Sequence, residues 1–146
     1  DKVQRNVPSM LSYKVHIEKD SSFNTPPVFP IYCILLNLRL IKQEGIDSIS
    51  KKNKIKSELI YSEIDRNKCF SGFSEVSDRS QMNATFNMKE GFDSELFNKI
   101  CSNNKISGIN GHRSVGGYRA SIYNALSLDS LNVLVDSMKE FELSQE

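Results

Sequence analysis

Thr25-Pro26-Pro27 followed by the run Val28 to Leu40 constrains this chain more than any other stretch. Threonine can cap a helix, and proline suits the first helical turn because its missing N–H would be unpaired there anyway. The spacing predicts a helix from Pro27 to Glu44, stopped by Gly45 in the position after the last turn. Its surface is apolar nearly all round, so it requires burial on several sides. A chain of 146 residues struggles to supply that cover, which points to a partner domain. The apolar run is too short to span a bilayer and is interrupted by Pro30 and Asn37. Being internal and placed after Pro-Pro, it is not a signal peptide either. The chain starts on Asp1 rather than Met, and Asp1 to Pro8 shows no cap or helical period, as expected of a piece of something longer.

Residues 1–26 read as irregular, with a short extended piece near Met10 to Val15. A second helix is expected over Asp47 to Asp65, with Ile49, Ile55, Leu59, Ile60 and Ile64 near helical spacing. Gly72 and its serine-rich surroundings form a loop or a short edge strand. Met82, Ala84, Phe86 and Met88 alternate with Asn83, Thr85 and Asn87, the pattern of a half-buried strand. Asp93 caps a helix reaching Cys101, with Leu96, Phe97 and Ile100 inward. Lys105 to Ile109 reads as a short strand, and Tyr118 to Tyr123 as another. Ser127 caps a last helix whose inward positions are Leu131, Leu134, Val135, Met138 and Phe141. Strands and helices interleave without a parallel βαβ repeat, so an α+β two-layer domain is expected from Gly45 onward.

Net charge is only +1, and the lysines scatter except at Lys51, Lys52, Lys54 and Lys56. Glu58, Glu63 and Asp65 follow that cluster, so it reads as the solvated face of a helix, with nothing to support nucleic-acid binding. Cys33, Cys69 and Cys101 are widely separated, and His16 and His112 sit at no metal-ligand spacing; no metal is expected. Unpaired thiols make the cytoplasm the default compartment.

Chemistry concentrates in Gly111-His112-Arg113-Ser114-Val115-Gly116-Gly117-Tyr118-Arg119. Glycines allow close backbone approach or positive φ. Guanidinium groups grip carboxylate or phosphate through paired hydrogen bonds. The combination reads as a pocket for a small dianion; a Gly-Gly turn flanked by surface arginines is the competing reading. A nucleotide-binding loop is disfavoured, because no strand–GxxxxGK[ST]–helix arrangement is present.

Three blocks, Phe23-Asn24-Thr25-Pro26-Pro27, Asp78-Arg79-Ser80 leading to Met82-Asn83, and Gly111 to Leu126, resemble the C-terminal part of the phosphoserine aminotransferases. That family comprises fold-type I enzymes dependent on pyridoxal 5'-phosphate. The resemblance implies that residues 1–26 are the tail of the cofactor-binding large domain, 27–44 a linking helix, and 45–146 the small, substrate-closing domain. Such a small domain has an antiparallel or mixed sheet with helices on one face. The implied reaction moves an amino group from glutamate to 3-phosphohydroxypyruvate, giving phosphoserine and 2-oxoglutarate for serine synthesis, and in some bacteria serves pyridoxine synthesis as well.

By the same resemblance, Arg119 meets the substrate α-carboxylate, and His112 and Arg113 meet its phosphate or distal carboxylate. Asn24 and Thr25 reach across a homodimer to the cofactor phosphate of the other subunit. Arg79 matches a family marker and reads as structural, paired with Asp78. The family's Schiff-base lysine, in a Lys-Asn-Gly-Pro-like setting, has no counterpart here, so the chain alone is expected to be inactive without the N-terminal part. A reading from another class stands beside this one: a free-standing anion-binding or dimerisation module derived from the same domain.

Overall fold

Helix propensity and local contacts, rather than a large core, shape the beginning of the chain. The computed structural model describes residues 6–111 and 116–145, and the chain divides into two units between Gln43 and Glu44. In the first unit a 3₁₀ turn at Ser9–Leu11 precedes helix α1, Tyr13–Glu18, where an extended piece was expected. Short-range pairs account for the difference. Lys14 reaches Glu18 one turn on at 3.9 Å, the His16 ring nitrogen lies 2.9 Å from the Met10 carbonyl, and the imidazole packs edge-on to Phe23. Such i,i+4 pairing favours helix over strand.

Helix α2, Val28–Glu44, forms as the sequence predicts. The Pro27 carbonyl accepts the first helical hydrogen bond, from the Ile31 N–H at 3.1 Å, so Thr25 stands ahead of the helix rather than in its capping position. None of its side chains is buried within this chain; Phe29 remains 76% exposed and Leu40 63%. Gly45 follows at φ +88°, a value that glycine adopts without steric cost.

Helix α3, Ile46–Arg66, opens the second unit. Its buried stripe is Asn53, Lys56, Ser57, Ile60, Tyr61, Glu63 and Ile64, so Ile55, expected inward, is 52% exposed. Lys56, expected on a solvated face, is only 3% exposed. Ile60 and Ile64 set the phase, and the positions three and four residues before each, with Asn53 seven before Ile60, follow. Strands β1, Phe70–Gly72, β2, Asn83–Met88, and β3, Tyr118–Ser121, form an antiparallel sheet in the order β1-β2-β3. The alternation in β2 holds: Ala84 and Phe86 are buried and Thr85 and Asn87 are not. Helices α4, Ser94–Asn103, and α5, Leu128–Leu143, carry the expected caps. The Asp93 carboxylate accepts from the Glu95 and Leu96 N–H groups, and the Ser127 hydroxyl accepts from that of Ser130.

One core joins the inward face of the sheet to α3, α4 and α5, giving the α+β unit with helices on one face. Its centre is aromatic: Phe70, Phe86, Phe97, Tyr118 and Phe141 pack with ring centroids 4.9–6.4 Å apart. Contacts in this range add about 0.5–1.5 kcal/mol each beyond the area they bury. Arg79 pairs not with neighbouring Asp78 but with Asp65 of α3, through two bonds of 2.6 and 2.7 Å. Its guanidinium lies over the Tyr61 ring at 4.6 Å. Asp78, one residue away and in a 3₁₀ turn, accepts instead from Ser77.

Lys105 to Ile109 does not form the expected strand. Lys105 and Gly108 both take positive φ, +60° and +69°, which breaks an extended run. Only Asn110 bridges to Tyr118, flanked by Gly111 N–H to Gly117 carbonyl at 2.8 Å and Arg119 N–H to Ile109 carbonyl at 2.7 Å. Two glycines make this closure possible. A Cβ on Gly111 would run into the Gly116 carbonyl oxygen, and one on Gly117, at φ +65°, would strike the Asn87 side-chain oxygen and approach the Phe86 carbonyl to 2.9 Å.

Gly117→Ala is therefore expected to lower stability by roughly 1–3 kcal/mol, from strain and collision together. Gly91→Ala, at φ +93° but in open space, should lose only about 1 kcal/mol. Urea denaturation of both variants checks the ordering, and equal losses would contradict the close approach.

The Arg79 bonds hold the Asp65 carboxyl below the usual carboxylate range. The Lys68 backbone N–H, and then Arg66, do the same for Glu142. Both groups are more acidic folded than unfolded, so each adds stability above about pH 4, the unfolded value, and loses it as pH falls toward the folded one. Asp65→Asn should flatten the fall of the unfolding free energy between about pH 4 and pH 2. An unaltered slope would show that the pair contributes nothing.

Candidate functional site

The sheet places its one outward arginine by alternation. Tyr118 and Ala120 are buried, so Arg119 between them must face away from the core. Register sets its neighbours: Arg119 lies opposite Thr85 in β2, and Tyr118 opposite Phe86. The Phe73 N–H donates to the Thr85 carbonyl at 3.1 Å, bringing the segment after β1 alongside. A cleft of about 320 Å³ results, walled by Phe73, Ser74, Thr85 and Asn87 and closed by Gly111 and Gly116 beside Arg119.

Its electrostatics suit an anion. Among the described residues the Arg119 guanidinium has no carboxylate partner, although Arg66 and Arg79 are both paired. The walls carry neutral donors: the Ser74 and Thr85 hydroxyls, 3.5 Å apart, and the Asn87 amide, whose oxygen lies beside Gly117. Among the described residues no acidic side chain lines the cleft, so a bound carboxylate meets the exposed Arg119 and hydroxyl or amide dipoles without repulsion.

His112 and Arg113 lie outside the described residues. The segment that contains them runs between Gly111 and Gly116, both of which line the cleft. Asn24 and Thr25 belong to the first unit and are exposed. Asn24 donates to the Met10 sulfur at 3.1 Å, a weak acceptor that releases the amide readily. The start of α2 offers few backbone donors. Pro26, Pro27 and Pro30 have no N–H, and that of Val28 is held by the Pro26 carbonyl at 2.8 Å. An anion there would rely on the Asn24 amide and the Thr25 hydroxyl more than on helix amides. That donor set, neutral and exposed, fits a phosphate.

Sequence reasoning placed Thr85 and Asn87 on a polar strand face without assigning them to the site. Only the antiparallel pairing that sets Thr85 beside Arg119 reveals it, and the sole sequence signal was the outward register of two alternating segments. Lys56 was also missed: a lysine in a cluster of lysines carries no mark of burial.

Residues 4–134 match the family model "Aminotransferase class-V". The phosphoserine aminotransferase of Flavobacterium psychrophilum is 55% identical over 97% of this chain and 40% of its own length. The solved phosphoserine aminotransferase of Bacillus circulans subsp. alkalophilus is 37% identical and superposes with a TM-score of 0.87, over 96% of this chain and 39% of that one. The pyridoxal-phosphate-bound enzyme of Trichomonas vaginalis is 32% identical with a TM-score of 0.82, over 94% and 40%. The chain thus spans about two-fifths of the length of the relatives it matches. Within that span the match runs from before α1 into α5, and the chain belongs to the class-V aminotransferase family.

Proposed function

We propose that this chain is the C-terminal, substrate-closing portion of a phosphoserine aminotransferase, acting within a homodimer on glutamate and 3-phosphohydroxypyruvate. The observation that carries the reading is Arg119: among the described residues, an arginine without a carboxylate partner, in a cleft lined by no acidic side chain and closed by Gly111, which is too crowded to bear a Cβ. All four reactants of the transfer carry a carboxylate beside the reacting carbon, which Arg119 binds. The second negative group, phosphate or distal carboxylate, falls to His112 and Arg113. Separated cations fix both ends of the guest and orient the carbon between them.

Asn24 and Thr25 donate to the phosphate of pyridoxal 5'-phosphate held by the partner subunit. When bound, that cofactor supplies the electron sink for proton removal at the α-carbon. Several lysines of the chain are engaged elsewhere. Lys14 pairs with Glu18 and Lys52 with Glu44, while Lys56 is buried among backbone carbonyls. No lysine of the chain stands in the family's Lys-Asn-Gly-Pro-like setting, so the cofactor's lysine is assigned to the part of the enzyme outside this chain, which also covers the apolar sides of α2. The free thiols Cys33, Cys69 and Cys101 suit a reducing, cytoplasmic setting.

In the full-length enzyme, Arg119→Ala should raise KM for both glutamate and phosphoserine by about 10–100-fold, the loss of a charge-assisted pair. Arg113→Ala should impair phosphoserine more than glutamate. Steady-state kinetics of both half-reactions decides the matter: equal and negligible effects of the two changes would remove the pocket assignment.

A further inference from the structure

The segment leaving β3 has little backbone pairing of its own. After Ser121 the Ile122 N–H still donates to the Met82 carbonyl at 2.9 Å, and the Leu126 N–H closes a turn onto Tyr123 at 3.0 Å. The carbonyls of this turn face α3. There the Lys56 ammonium donates to the Ile122 carbonyl at 3.1 Å, the Tyr123 carbonyl at 2.6 Å and the Leu126 carbonyl at 3.2 Å. An ammonium has three donors, and all three are used. One turn earlier on the same helix, the Asn53 amide donates to the Asn124 side-chain oxygen at 2.7 Å. Both residues of α3 are buried.

We infer that Lys56 is a positioning residue for the Arg119 site: by gathering three carbonyls of the turn after β3, it fixes the end of the strand that presents Arg119. The inference rests on the reading of Arg119 as the ligand of the substrate carboxylate. Two physical arguments carry it. First, β3 is only four residues long, paired fully to β2 on one side and through Asn110 on the other, so its far end needs an anchor. Ile122, the first residue that Lys56 holds, is three positions beyond Arg119. Second, a buried charge is a poor device for stability, because its desolvation offsets much of what its contacts return. A leucine or methionine would fill the space but leave three carbonyls without their donor. What the lysine supplies is direction: three bonds converging on one atom from fixed points of a turn.

Beside Lys56 lies an open cleft of about 410 Å³, lined among others by Lys52, Ile55, Asn124 and Leu128, which gives a small amine access to the position. The test uses the full-length, cofactor-loaded enzyme with Lys56→Ala, Asn124→Ala, Arg119→Ala and, as a control, Lys52→Ala. Lys52 sits on the same cleft but is exposed and paired with Glu44 at 2.6 Å. Lys56→Ala is expected to raise KM for glutamate on the order of ten-fold with a smaller change in kcat, as a displaced binding group does. Amide hydrogen exchange of residues 118–126 should quicken, and added n-propylammonium, which replaces the lost side chain, should lower KM again. Lys52→Ala should leave KM where it was. If Lys56→Ala fails to fold, Asn124→Ala carries the test on the same turn, with a smaller rise expected. An unchanged KM in the folded Lys56 variant, or in Asn124→Ala if that variant must stand in, overturns the inference when Arg119→Ala raises it. An unchanged KM in Arg119→Ala would instead overturn the carboxylate reading, and this inference with it.

Discussion

Arg119 faces outward because Tyr118 cannot. The Tyr118 ring stacks on Phe86 at 5.3 Å and meets Phe97 edge-on at 5.1 Å, while Ala120 on the same face is 5% exposed. A strand has a period of two, so a one-residue slip of β3 against β2 would exchange these faces. The aromatic ring would enter solvent and the guanidinium would enter a core of phenylalanines. Emptying an aromatic site in a packed core costs about 3–5 kcal/mol, and an unpaired buried charge costs more. The register that builds the core therefore also builds the site, and the same alternation in β2 brings Thr85 and Asn87 to the outer face.

The hydrophobic core fixes which face is which but says little about the loops that finish the cleft. Directional polar contacts do that at three corners of α3. Near its middle, Lys56 and Asn53 hold the turn after β3. In its last turns, Asp65 and Tyr61 hold Arg79, and the Tyr61 hydroxyl donates to the Ser80 and Asn83 carbonyls at 3.1 and 3.3 Å. This fixes the return from the segment of Phe73 and Ser74 into β2. Gly72 leaves room for the arrangement: a Cβ there would sit 2.9 Å from an Arg79 nitrogen. At its end, Glu63, Arg66, Asn67 and Glu142 tie α3 to α5. Apolar packing tolerates small sliding motions, whereas short bonds to fixed carbonyls and carboxylates do not.

What was legible in the sequence follows from which signals are local. Helices α2, α3, α4 and α5, the alternation of β2 and the caps at Asp93 and Ser127 all depend on residues within a turn or two, and each forms where expected. The extended reading near Met10 failed because it weighed the lack of a helical period and missed the pair Lys14 and Glu18. Lys105 to Ile109 failed because positive φ at Lys105, a residue with no special tolerance for it, is imposed by tertiary context. Of the polar residues in the stripe on α3, Lys56 reads by type as a solvated lysine, and nothing in the sequence singles out Asn53. Their burial depends on carbonyls some seventy residues away in sequence, and no periodicity encodes that. Arg79 was assigned a neighbour in sequence when its partner lies fourteen positions upstream.

The two units differ in how far they cover their own apolar surface. In the second, the aromatic cluster lies within a core drawn from that unit's own residues. In the first, Val28, Phe29, Ile31, Tyr32, Ile34 and Leu38 of α2 are all more than half exposed. Isolated helices of this length are marginal in water and take most of their stability from packing an apolar face, and α2 has apolar faces on all sides. On the reading proposed above, that surface is where the rest of the enzyme packs, and its continuity around the helix means that more than one neighbouring element must do so. On that reading, a helix that depends on other parts for its cover would carry Asn24 and Thr25 at one end only while those parts are assembled. The cofactor contacts proposed for Asn24 and Thr25 would thus depend on the assembled enzyme, whereas the placement of Arg119 is set within the second unit by its own core.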